Sequence, residues 1–149
     1  MGQADHDDEQ VKDEVTKYFG WTRLESEHRE YFAKDARGER LWLKSRNETD
    51  KSRGDSWDWK GEDPEFDALI GIICAMDGEW KFIIRAPREA VQDLKHPDNE
   101  GHRLRWSDRN TRLDPRIVIL YARKPFPPDE QEKYRQRLEE HRSGQQADY

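Results

Sequence analysis

At 149 residues the chain is long enough to bury the core of one domain. Apolar residues make up 32% and charged residues 40%, far from the usual ~45–50% and ~25%, so the core has to come mainly from residues 15 to 121. The formal charge of -6 argues against a surface coated in phosphate-binding lysines, but it leaves room for a local basic groove.

The acidic opening, residues 1–8, reads as a flexible N-terminus. His6 stands there among Asp5, Asp7, Asp8 and Glu9, a set that would hold a divalent ion only weakly; plain solvation is the simpler expectation. A first helix is predicted from about Glu9 to Phe19, because Val11, Val15, Tyr18 and Phe19 make one stripe and Gly20 is a good stop. Glu14 lies between Val11 and Tyr18, a carboxylate beside the stripe. Residues 28–46 read as a hairpin turning at "ARGE". Strand alternation puts Trp42 and Lys44 on one face and Leu41, Leu43 and Ser45 on the other, with Glu30, Phe32 and Lys34 together on the leading strand. His28 reads as a surface histidine.

Residues 47–65 form a long polar segment holding Trp57 and Trp59, which are expected to pack back over the sheet as a lid or to present a stacking surface. "FDALIGIICAM" (66–76) is a continuous apolar strand, turned by "DGE" into a second strand over 80–85. Its Cys74, the only cysteine, excludes a disulfide within the chain and reads as a buried structural thiol. Pro87 fits the first turn of a helix that packs Ala90, Val91 and Leu94 inward and stops before Pro97. A short alternating piece, "HRLRWSD", precedes a strong strand signal over 116–122. Residues 126–149 read as a solvated C-terminal helix and tail. The expected fold is α/β (α+β): one domain over 9–125 with a mixed central sheet flanked by helices. With no signal-peptide pattern and no long apolar segment, a soluble cytoplasmic protein without a membrane partner is expected.

One constellation carries chemistry. Gly38 in the hairpin turn, Lys44 at the strand end, the pair Ser52-Arg53, then Phe66-Asp67 opening the buried strand and Pro87 to Val91 after the sheet resemble the PD-(D/E)XK, or restriction-endonuclease-like, superfamily. The resemblance spans about residues 10 to 120 and implies a restriction-endonuclease-like sheet. It also implies a nuclease centre in which two carboxylates hold Mg²⁺ and a lysine steadies the attacking water or the phosphorane charge. Lys44 would be that lysine and Glu14 the helix carboxylate. The motif acids are missing, however: Trp42 stands two residues before Lys44 and Phe32 takes the leading-strand position. Glu30 and Asp35 are the nearby carboxylates that a displaced site would use.

Three readings follow. The first is a degenerate or rearranged nuclease-like domain that binds DNA or a partner protein, gripping through Arg40, Arg46, Lys51 and Arg53 and stacking bases on Trp57 and Trp59. The second is an active nuclease that uses Mg²⁺ with Lys44, Glu14, Glu30 and Asp35. The third is an adaptor whose tryptophan segment meets a protein. Asp55, Asp58, Glu62 and Asp63 dilute the positive field around that segment.

Overall fold

The computed structural model describes residues 2–26, 30–49, 56–98 and 100–124. Helix α1 (Gly2–Tyr18) starts well upstream of the predicted Glu9, so helical backbone reaches into the acidic opening. It ends as expected at Gly20, whose φ of 73° would strain any residue with a Cβ. The N–H of Gly20 donates to the Lys17 carbonyl and that of Trp21 to the Thr16 carbonyl, the two bonds of a Schellman cap.

A short strand not foreseen, β1 (Thr22–Leu24), leads into the hairpin β2 (Tyr31–Lys34) and β3 (Arg40–Asn47). The Asp35 carboxylate accepts the backbone N–H groups of Arg37 and Glu39, both at 2.9 Å, and fixes the turn in which Gly38 takes a φ of 82°. Tyr31 pairs with Leu43 and Phe32 with Trp42. β5 (Ala68–Cys74) lies parallel to β3 and is buried along its whole length, which is why it reads as unbroken apolar sequence. β6 (Trp80–Pro87) returns antiparallel to it, and β9 (Val118–Ala122) closes the edge of a six-stranded mixed sheet ordered β1-β2-β3-β5-β6-β9.

The polar segment hides a strand. β4 (Ser56–Lys60) pairs with β8 (Gly101–Arg105), which pairs with β7 (His96–Asp98), making a second, three-stranded sheet. Helix α2 (Arg88–Leu94) follows Pro87, and a single turn, α3 (Arg109–Arg112), follows β8. The layers are set by two cores. On one face of the large sheet, Val15 of α1 packs with Tyr31, Leu41, Leu43, Ile70 and Ile83. On the other, Phe32, Trp42, Leu69 and Ile84 meet Trp57, Trp59 and Leu104 of the small sheet and Ala90 and Val91 of α2. The fold is therefore mixed α/β and mostly sheet. The residues expected to form a C-terminal helix lie outside those described. No described helix is long and apolar enough to cross a membrane.

Candidate functional site

Alternation along β3 points Arg40, Trp42, Lys44 and Arg46 toward the small sheet while Leu41 and Leu43 face α1. Glu14 is exposed on α1, which packs against the opposite face of the sheet, so Glu14 and Lys44 do not share a site. Asp35 sits at the turn end of the hairpin and is tied to Arg85 at 3.2 Å, far along the strands from the level of Lys44. Burial raises its pKa, but the Glu39 and Arg37 N–H groups and the Arg85 guanidinium win and hold the carboxyl below its ordinary range. Two of the four expected catalytic residues are thus separated from Lys44.

Glu30 does meet it. One Glu30 oxygen accepts the Trp42 indole N–H at 2.7 Å and lies 3.8 Å from the Lys44 ammonium. The ammonium also sits 5.3 Å from the centre of a Trp42 ring, within cation–π range. Its side chain is only 18% exposed. Burial therefore lowers its pKa, which Glu30 partly offsets, with Lys12 lowering it further and Asp58 and Asp8 raising it.

The expected gripping and stacking residues are mostly committed to the fold. The Arg40 guanidinium lies 4.0 Å from the centre of the Phe32 ring, and its Nε donates to the Glu65 carbonyl. Arg46 donates to the Ser56 hydroxyl at 3.2 Å. Lys51, Arg53 and His28 lie outside the described residues. Trp57 is 1% exposed and Trp59 is 5% exposed. Trp57 donates its indole N–H to the Ile72 carbonyl, and Trp59 gives its own to Asp63. Their ring faces are core surface, so bases cannot stack there; of the two expectations for this segment, packing over the sheet is the one that fits. Trp42 packs on Trp59 and Phe66, with ring centres 5.1 and 5.2 Å apart.

Lys44 opens into a cleft of about 690 Å³ between the two sheets. Its charged lining is Glu30, Lys44, Asp58, Lys60, Asp98, Glu100 and Arg103. Trp59 and Gly101 complete the lining; a Cβ on Gly101 would lie 1.9 Å from the Trp59 carbonyl oxygen, so only glycine permits this approach of β4 to β8. Asp63 braces this lining, accepting Trp59, Gln92 and Lys95, each at 2.7 Å. Of the lining side chains, Lys44, Glu30 and Trp59 were expected at a site; Asp58, Lys60, Asp98, Glu100 and Arg103 were not. The signal was there: "SWDWK" and "HRLRW" alternate with period 2, which places Asp58 and Arg103 on outward positions of strands.

Among the described residues, no group of three or more His, Cys, Asp or Glu side chains is placed to hold a metal ion. No protein-family model matches the chain, and no match to it is found among curated proteins.

Proposed function

We propose that the chain is a binding domain whose cleft takes a positively charged segment of a partner protein. The observation that carries this is the charge balance of the cleft: among the described residues, carboxylates of Glu30, Asp58, Asp98 and Glu100 outnumber the cations Lys44, Lys60 and Arg103. A phosphate backbone brought to such a surface meets repulsion before it meets a free lysine, whereas a lysine- or arginine-bearing segment is attracted. The likeness to restriction-endonuclease-like proteins rests on the sequence motif alone, since a mixed sheet is common to many folds; in this reading Trp42 and Phe32 occupy the positions where that motif would place its metal-binding acids.

Mg²⁺ chemistry does not suit the residues present. The Glu30 carboxylate already accepts an indole N–H and faces an ammonium, so a divalent cation there would have to displace one and be repelled by the other. The test is fluorescence anisotropy at low salt with two probes, a lysine-rich peptide and single- and double-stranded DNA. The peptide is expected to bind, and to weaken as salt rises; DNA is not. Saturable DNA binding without peptide binding overturns the reading. A plasmid-nicking assay with Mg²⁺ or Mn²⁺ is expected to show no cleavage, and nicking that is lost in Lys44→Ala would establish the nuclease reading instead.

A further inference from the structure

We infer that the cleft recognises a basic residue that also bears a free carboxylate, so that the bound partner segment is a C-terminus ending in arginine or lysine; this rests on the cationic-partner reading above. The first observation is a contrast in ion-pair lengths. In the cleft, Lys44–Glu30 spans 3.8 Å, Lys60–Glu100 3.9 Å, Arg103–Asp58 3.5 Å and Arg103–Asp98 3.2 Å. Elsewhere Arg23–Glu9 closes to 2.6 Å and Arg85–Glu39, Lys95–Asp63 and Arg116–Asp93 to 2.7 Å, while Lys81–Glu48 at 3.1 Å and Arg23–Asp13 and Arg85–Asp35 at 3.2 Å are looser and His102–Asp63 stands at 3.8 Å. Charge-assisted hydrogen bonds prefer ~2.7–2.9 Å, so three of the four cleft pairs, at 3.5 Å or more, leave their charges short of full contact, and Arg103–Asp98 alone closes to 3.2 Å.

The second observation is Arg103. Its Nη2 is shared between two carboxylates, while its Nε is buried with no hydrogen-bond partner among the described residues. A buried donor left unmet is costly. A ligand carboxylate gripped through Nε and Nη together would meet it with the bidentate geometry that guanidinium favours. The Nε is buried as the side chain stands, so that contact calls for the 31% exposed side chain to turn its Nε toward the cleft.

A purely cationic ligand leaves this donor unmet, and a purely anionic one faces the four carboxylates. A ligand carrying both charges satisfies both sides: its carboxylate goes to Arg103 and its side-chain cation to the cleft carboxylates that Trp42 and Lys44 do not occupy, Asp58 and Glu100. The edge of Trp59 lines the same space and suits the aliphatic stem of a lysine or arginine. The volume of about 690 Å³ falls in the ~300–1,000 Å³ range of ligand-sized sites, which gives room for more than one terminal residue.

The experiment uses the full chain and a labelled hexapeptide ending in arginine, offered as the free acid, as the C-terminal amide, and with alanine as its last residue. The free acid is expected to bind about tenfold tighter than either of the other two. L-arginine is expected to compete only weakly, and competition as strong as that of the free-acid peptide would mean that a free amino acid, not a C-terminus, is the ligand. Arg103→Gln is expected to abolish the difference between the free acid and the amide, with circular dichroism showing that the variant is folded; a difference that survives the substitution overturns the role given to Arg103. Equal binding of acid and amide overturns this inference and leaves the cationic-partner reading standing. Failure of all three peptides overturns that reading itself.

Discussion

The Lys44 ammonium is held between a carboxylate and an indole, and its titration shows what that placement costs. Its pKa in the fold lies below the ordinary 10.5, because burial outweighs Glu30. Between those two pKa values the unfolded chain binds more protons, so this group makes stability rise with pH toward 10.5; at neutral pH it is a charge kept at a cost. Lys44→Met is therefore expected to gain stability relative to wild type at pH 7, with the gain shrinking as pH rises, as read by urea unfolding at several pH values. A constant gap would show that burial of the charge is not the cause. Tyr31 shows the opposite sign. Burial and its hydrogen bond to Asp13, at 2.6 Å, push its hydroxyl up to about 12. The stability this group provides is whole below pH 10 and lost between 10 and about 12, as the unfolded chain ionises first. Tyr31→Phe is expected to cost about 1 kcal/mol at pH 7 and to flatten the alkaline limb of the stability profile.

The elements were legible where one physical signal dominated. The all-apolar β5, the turn at Asp35 to Gly38 and the Gly20 stop each follow from burial or backbone sterics alone. Of the small sheet only β8 was legible, as the alternating "HRLRWSD"; β4 is five residues inside a polar stretch and β7 carries Pro97, a residue that usually demotes a strand. Proline is tolerated there because β7 is an edge with β8 as its one partner. The join between the sheets is sharp. A Cβ on Gly71 would lie 2.6 Å from the Trp57 ring, whose indole is buried and bonded to the Ile72 carbonyl. Gly71→Ala is expected to cost ~1–3 kcal/mol by overpacking, as measured in chemical unfolding. Adding Trp57→Phe should return part of that cost, a coupling of at least ~0.5 kcal/mol in a double-mutant cycle. Simple additivity would mean that the two residues do not press on each other.

For the molecule as a whole, sequence patterning located one strand of the site but not its company. Lys44 was legible because a lysine follows the bulky apolar run Leu41 to Leu43, although β3 continues past it to Asn47, and Glu30 because alternation places it on the same side of the hairpin. Asp98, Glu100 and Arg103 come from the local pairing of β7 with β8, but Asp58 reaches them through β4, which pairs with β8 across forty residues of chain or more, a contact that no local periodicity reveals. The same long-range packing turned Trp57 and Trp59 from candidate stacking surfaces into the seam between the layers. The basic cluster read from β3 was real as a face, yet that face points inward and each of its described cations finds a partner in the fold.

The central claim is that Glu30 is committed to Trp42 and Lys44, which leaves the cleft to a cationic partner and gives a divalent ion no seat. Two-dimensional ¹H–¹⁵N spectra test it directly, since the Trp42 indole N–H donates to Glu30. Titration with Mn²⁺ is expected to leave that resonance sharp, whereas the arginine-ending peptide is expected to shift it. Selective broadening of the Trp42 indole by Mn²⁺ at stoichiometric levels, with no response to the peptide, would contradict the account.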